Sequence, residues 1–427
     1  HQNMPGQYRY LARHMARRED VQVAFMTRRT NVQLPGVKRI VYELPRGASA
    51  GTHRYLRTAE AGVWHGQAVA RRLIQAKRRG QRPDVIVGHP GWGELLYVKE
   101  VFPDVPVLGF FEFFYRSRGS DIDFGDREPG YDLMCRVRTK NAINLLSLDL
   151  VDAGVSPTFF QYETYPEEYR YKISVIFDGV DTHACRPDPA ARLDLPDGRT
   201  LAADDEVVTF CTRAYEEQRG FSTFMRAVAE LQRRRPNLHA VVVGGEGNPY
   251  GDRAASGDAL KDRLIAETGV DLARTHFLGN VPWPRLQTVF RVSSAHVYLT
   301  VPFVLSWSLM EAMASACAIV ASDTAPVREV IADGVNGRLA DFHDAGAFAA
   351  RVEEILAAPD AADGLRRRAR ETVLARYELQ LCLKRQVALI ERLAAGERPV
   401  PPRPVHRPGA PAFMPPAPGG AGPDGTG

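Results

Sequence analysis

The sequence predicts an α/β chain built as two Rossmann-like, doubly wound domains facing a cleft, and three observations carry that prediction. Strand-like apolar runs alternate with helix-like runs through VQVAFMT, PDVIVGHP, PVLGFFEFF and KISVIFDGVD. After a polar stretch rich in Pro, Asp and Gly (Pro187 to Asp205) the alternation restarts with EVVTFCT, LHAVVVGG, THFLGNV, AHVYLTV, CAIVASD and NGRLAD. Strands separated by helices pair in parallel, because a parallel neighbour needs a crossover long enough to hold a helix. The third observation is size: 427 residues, 44% hydrophobic and 25% charged, suffice for two cores.

The domain limits follow from the same pattern. Residues 1–186 form the first domain and 187–376 the second. Residues 377–396 read as a helix that packs back on the first domain, and 397–427, with ten of the thirty prolines, as a disordered tail. The opening HQNMPGQYRYLARHMA has no strand ahead of its first glycine, Gly6, so a first β-strand is expected to precede His1.

Composition removes several classes. Cys135, Cys185, Cys211, Cys317 and Cys382 are scattered without a CxxC pair, which reads as reduced cytosolic thiols and against a zinc site or disulfide framework. No run approaches the roughly 18 uninterrupted apolar residues of a membrane span. Charge is uneven: residues 1–90 hold 17 Lys and Arg against 5 Asp and Glu, a net of +12 in a chain of net +4, so the remainder carries −8. Much of this sits in VWHGQAVARRLIQAKRRG, residues 63–80, with Arg71, Arg72, Lys77, Arg78 and Arg79. A solvated helix face explains such a run; peripheral contact with an anionic membrane near a lipid-linked substrate is the functional alternative. Nucleic acid is set aside, because no aromatics interleave with the basic residues.

Motifs narrow the chemistry. After HAVVV, the residues Gly244-Gly245-Glu246-Gly247-Asn248-Pro249 fail G-x-G-x-x-G at its third glycine, and no P-loop is present, so a nicotinamide enzyme is excluded. In VVTFCTRAYEEQRGF a strand ends near Arg213 and a loop carries Arg219-Gly220. Ligands of open α/β sheets bind at the carboxyl ends of strands, and two arginines in one such loop suit a diphosphate. The alternative is surface pairing with Glu216 and Glu217. Residues 302–323, PFVLSWSLMEAMASACAIVASD, hold one acid, Glu311, in an apolar run. Ser308 followed three residues later by Glu311 fits a capping box, predicting a helix from Ser308 to Ala316 with Glu311 in its first turn, then a strand at Ala318–Ala321. A helix start also receives anions and hydroxyls, so cap and ligand contact both remain open.

Taken in order, the strand, R-x5-R-G, VVVGG, FLGNV, HVYLT, the Glu311 stretch, AIVASD and PVREVIADGVNGRL resemble the C-terminal domain of family 4 glycosyltransferases, retaining enzymes of the GT-B fold. HQNMPGQYR resembles their first glycine loop, and SPTFFQ with ISVIFDGVD the end of their acceptor domain. The resemblance spans about residues 1–390. It implies a hexosyltransferase that takes a nucleoside-diphosphate sugar as donor, needs no metal or other cofactor, and acts in cytoplasmic glycan or cell-envelope biosynthesis. Its pattern makes Arg213 and Arg219 the diphosphate pair and gives Glu311 the ribose hydroxyls. The N–H groups of Leu305, Ser306 and Trp307 fall by the phosphates, and Gly245 and Val281 beside the base. Two departures stand out. The family's further glutamate, eight residues before Glu311, is Phe303 here. The histidine after the PVV strand is replaced nearby by Glu112, so Glu112 and His89 are the catalytic candidates, with Gly6 and Glu94 on the acceptor side. Asp121 and Asp123 mimic a DxD metal motif of another topology and read as a solvated acidic loop. The alternatives are a nucleotide-sugar epimerase on the same fold, or a degenerate nucleotide-sugar-binding protein without turnover.

Overall fold

The computed structural model describes residues 1–125, 128–245 and 257–398, with the backbone alone at 257 and 258. The loop after Gly245 that excluded a nicotinamide site, and nearly all of the tail from residue 397, lie outside these residues.

The N-terminal domain holds two parallel sheets where a single doubly wound sheet is expected. Strands β1 (Val23–Thr27) and β2 (Val37–Val41) pair with Val23 opposite Val37. Strands β3 (Ile86–Gly88), β4 (Val107–Phe110), β5 (Ala153–Ser156) and β6 (Ile173–Val175) form the other, in that order. The polar link then folds as an antiparallel hairpin, β7 (Arg192–Asp194) and β8 (Thr200–Ala202). Its Leu193 and Leu201 are buried with Val207, Val241 and Val289 of the second domain.

The C-terminal domain is one six-stranded sheet. Its strands are β9 (Val207–Ala214), β10 (His239–Gly245), β11 (Thr275–Gly279), β12 (Ala295–Tyr298), β13 (Ile319–Ser322) and β14 (Arg338–Ala340). All pairs are parallel, in the order β11-β10-β9-β12-β13-β14. The chain builds outward from β9 to β11, then returns to the other side of β9, so the winding reverses between β9 and β12. Strands covered on both faces read as continuous apolar runs, which is why VVTF, IVAS and AHVY are buried throughout. Helices Phe221–Arg234 and Ala345–Ala357 contribute to one core cluster, and Trp307–Ala314 with Pro359–Arg376 to another.

The last helix, Leu379–Ala394, belongs to the first domain's core. Its stripe of Leu379, Leu383, Val387 and Ile390 clusters with Met4, Leu11 and Phe25, at the spacing of one helical face. The chain therefore crosses between the domains twice, at residues 176–181 and again at 377–379. The two crossings are hydrogen-bonded: the Val180 N–H donates to the Tyr377 carbonyl at 2.8 Å, and the Leu379 N–H to the Val180 carbonyl at 2.9 Å. Glu329 of the second domain accepts the N–H groups of Phe159 and Phe160, at the start of a first-domain helix, at 2.9 Å each.

Beside the crossings, the Trp307 indole N–H donates to the Asp178 carboxyl at 2.7 Å. Burial pushes Asp178 up to about 7, with the Trp307 bond pulling the other way. A folded-state pKa above the unfolded value favours the protonated fold, so this group's contribution to stability falls as pH rises from about 4 through about 7. Asp178→Asn keeps an acceptor for Trp307 and removes the titration. The stability of the variant relative to the native protein should therefore rise between about pH 5 and about pH 8, by up to about 2.7 kcal/mol, and its melting temperature with it. A constant gap in calorimetric scans would assign the carboxyl no such role.

Candidate functional site

The carboxyl edge of the second sheet, at the reversal between β9 and β12, gathers most of the residues singled out in the sequence. Arg213 is the exposed penultimate residue of β9. Arg219 follows on a single turn ended by Gly220, whose φ of +66° and contact with Leu299 leave no room for a Cβ. That close approach sets Arg219 against the loop after β12. Its Nη1 donates to Thr300 Oγ1 at 2.7 Å and to the Val304 carbonyl at 3.1 Å, so Arg219 is anchored to that loop. Glu217 pairs with Arg263 at 3.3 Å.

The next helix runs Trp307–Ala314, and its start corrects the expected cap. Ser306 is the N-cap, its Oγ accepting from the Ser308 N–H at 3.2 Å, so the helix begins before Ser308 can cap it. Glu311 falls in the second turn. Its carboxylate accepts the Trp283 indole N–H at 3.1 and 3.2 Å and the Gln287 side-chain N–H at 2.9 Å. Burial raises the Glu311 carboxyl above its ordinary value, while the Trp283 bond, the charge of Arg9 and the Gln287 bond act against that rise. At this helix start the Ser306 N–H donates to the Tyr298 hydroxyl at 2.9 Å, and Leu305 is buried. Trp307 contributes its side chain, reaching Asp178 across the cleft. Gly245 ends β10 beside Gly279, where an added Cβ would lie 3.8 Å from the Gly279 Cα. Val281, half-buried, follows on the same edge.

Phe303 packs across the cleft on Phe113, ring centroids 4.7 Å apart and edge to face, with the Arg219 guanidinium 5.7 Å from its ring. The position of the family's glutamate is thus an apolar contact between domains.

On the first domain's side, Gly6 (φ +50°) opens a short turn that lines a small pocket with Gln7, Arg9, Tyr10, residues 178–181, Trp307 and Glu311. Glu112 follows β4 with a side chain 39% exposed. The Gly91 N–H donates to His89 Nδ1 at 3.1 Å, which leaves Nε2 to carry the proton of the neutral ring and donate to Glu112 at 3.3 Å. Burial acts to raise the Glu112 carboxyl. Bonds from His89 and Gln7, with the charge of Arg213, outweigh it and hold the group below its ordinary value. Arg213 and Glu112 therefore sense one another across the cleft. Glu94 does not face it: this carboxylate is 5% exposed and accepts the Tyr42 hydroxyl at 3.0 Å and the Gln2 N–H at 2.5 Å. His89 is equally buried and reaches the cleft only through Glu112.

Asp123 accepts the N–H groups of Gly119 and Ser120 at 2.8 and 3.0 Å, and Asp121 is partly buried, so the SDID segment is a closed turn and not a fully solvated loop. Among the described residues no group of three or more His, Cys, Asp or Glu is placed to hold a metal ion. Sequence reasoning missed Arg9, Trp283, Gln287 and Asp178. Trp283 and Gln287 stand at i and i+4 on one helix face, a visible spacing, but nothing in sequence order says that the face meets Glu311.

Comparison with known proteins bears on this geometry. The family described as Glycosyl transferase family 4 group matches residues 19–185, and Glycosyl transferases group 1 matches residues 196–372. A D-inositol 3-phosphate glycosyltransferase of Thermobispora bispora is 28% identical over 222 residues, 50% of each chain. The Mycobacterium tuberculosis protein of that name is 31% identical over 189 residues, 43% of this chain and 36% of that one. The match thus spans half or less of these curated relatives. Among solved structures, a sucrose-phosphate synthase from Thermosynechococcus elongatus superposes with a TM-score of 0.68 at 19% identity, covering 91% of this chain and 92% of that one. Anabaena HepE in complex with UDP and glucose gives 0.62 at 15% identity, covering 83% and 86%. With two Rossmann-like domains and both family matches in register with them, the chain belongs to the family 4 glycosyltransferases and has the GT-B fold.

Proposed function

We propose that the protein transfers a sugar, with retention, from a nucleoside-diphosphate sugar to a hydroxyl of an acceptor held by the N-terminal domain. The observation that carries this reading is the convergence of Arg213, Arg219, the Trp307–Ala314 helix start and the Glu311 carboxylate on one sheet edge. The Anabaena neighbours hold UDP or UDP-glucose, which supports the same donor class here. In this reading the arginines neutralise the leaving diphosphate as charge develops on it, the electrostatic route that needs no metal. Glu311 accepts the ribose hydroxyls. Glu112, kept ionised by His89 and Gln7, faces the acceptor hydroxyl, and retention follows from attack on the face the diphosphate leaves.

The acceptor is a glycan, a lipid-linked saccharide or a small polyol. A lipid-linked acceptor fits the basic helix Arg57–Arg78, where Arg71, Arg72, Lys77 and Arg78, with Arg79 just beyond, are exposed around an Ile74 that is itself 40% exposed. Among the described residues no helix is long and apolar enough to cross a membrane, so such contact is peripheral.

If the arginines hold the diphosphate, Arg213→Ala and Arg219→Ala should each weaken nucleoside-diphosphate binding by about 1.5–3 kcal/mol in calorimetry. Unchanged affinity in both removes them from the site. Glu311→Gln should weaken the same ligand about tenfold, and its loss should overlap with that of a 2′,3′-dideoxy nucleotide, since both delete one contact. Additive losses would return Glu311 to a purely structural role. For the basic helix, co-sedimentation with anionic vesicles should exceed that with neutral ones and decline as salt rises; equal sedimentation leaves a solvated face.

A further inference from the structure

The ribose assignment to Glu311 leaves a question that the geometry addresses: what keeps a largely buried carboxylate ionised, and turned so that it still has lone pairs for a ligand. Three groups surround it. Trp283 and Gln287 lie on helix Trp283–Arg291 four residues apart, so both side chains leave the same face toward Glu311. Gln287 is 2% exposed, and its amide orientation is set from behind: Ser315 Oγ–H donates to Gln287 Oε1 at 3.4 Å, which turns the Nε2–H toward Glu311. The third group comes from the other domain. The Arg9 guanidinium lies 5.8 Å from the Trp283 ring and 4.4 Å from the Tyr10 ring, and its charge acts on Glu311.

We infer that Trp283 and Gln287 are positioning residues that set recognition of the ribose hydroxyls, an inference that rests on the reading of Glu311 as the ribose acceptor. The single indole N–H is shared between the two carboxylate oxygens, and the amide takes one lone pair of Oε2. A carboxylate offers about four lone-pair sites; the shared indole N–H engages both oxygens and the amide takes a second site on Oε2, so acceptor capacity for a ribose hydroxyl remains on Oε1. Without the two donors, a carboxylate in this buried position would protonate more readily, and the carboxyl would become in part a donor where the ligand also donates. Trp283 and Gln287 thus hold both the orientation and the ionisation of Glu311.

Protonation adds a readout that a purely structural role would not move. The charged or titratable groups whose charge couples to Glu311 among the described residues are Arg9, Tyr10, Cys185 and Cys211. Burial pushes Tyr10 and both thiols upward, Cys211 to about 12, so they stay neutral through mildly acidic and neutral pH. Glu311 itself lies above its ordinary value. Recognition by its ionised form is lost as pH falls through that value, and removing a donor moves the loss to higher pH.

The experiment uses the full chain and whichever of UDP, GDP, ADP and CDP raises its melting temperature most, beside the 2′,3′-dideoxy form of the same nucleotide. The dideoxy form shares the diphosphate's own titration, so the ratio of the two affinities isolates the hydroxyls. Trp283→Phe retains the ring and Gln287→Met retains the side-chain length; each is first checked for an unchanged circular dichroism spectrum. The native protein should prefer the hydroxyl-bearing nucleotide. Each variant should lose about five- to twentyfold in affinity for it, little for the dideoxy form, and show the acid-side loss of preference at higher pH. A native protein that binds both nucleotides equally overturns the reading of Glu311, and this inference with it. A native protein that discriminates, with variants that discriminate equally and at the same pH, overturns the positioning role alone. Equal loss for both nucleotides also overturns it, leaving Trp283 and Gln287 as packing.

Discussion

A parallel sheet covered by helices on both faces leaves charged groups one natural outlet, its edges, and this constraint organises both domains. Between the carboxyl ends, the second sheet is closed by apolar runs such as Val207–Phe210 and Ile319–Ala321, all nearly inaccessible to water. Arg213, Arg219 and Glu311 therefore accumulate where β9 and β12 part. The same logic puts His89 after β3, Glu112 after β4 and Asp178 after β6. Facing two such edges across a gap brings these polar groups together while the strand interiors stay apolar.

The two edges differ in how their acids are treated. Glu112 has donors from His89 and Gln7, which hold its carboxyl below the ordinary carboxylate range. Asp178, deeper, has one indole donor and rises toward neutrality. Glu311 lies between these, with burial opposed by two side-chain donors and a cation from the other domain. Three carboxyls within one cleft are thus shifted to different extents by the balance of burial against the donors and charges each one meets.

The strands of the second domain were legible because burial on both faces leaves an uninterrupted apolar run, and Arg213 because it stands at the end of one. The hairpin at Arg192–Ala202 was not, since DLPDGRT has the composition of a link and only Leu193 and Leu201 mark its buried face. The cap at Glu311 was misread for a different reason. Ser308 fits the capping box, but Ser306 also can cap, and the Tyr298 hydroxyl that anchors Ser306 lies eight residues earlier in the chain. The donors on Glu311 stand 24 and 28 residues away, and no local pattern reports such a distance. Glu94 illustrates the converse: the family pattern put it on the acceptor side with Gly6, while its bonds to Tyr42 and Gln2 turn it inward.

The paired crossings at Val180 and Tyr377–Leu379 have a mechanical consequence. A single connecting strand lets two bodies swivel about it in any direction. Two strands tied side by side by reciprocal backbone bonds resist twisting and leave bending across the pair as the soft coordinate. Any relative motion of the two halves would thereby be confined near one axis, and the Arg9–Trp283 contact between them would open or close along it.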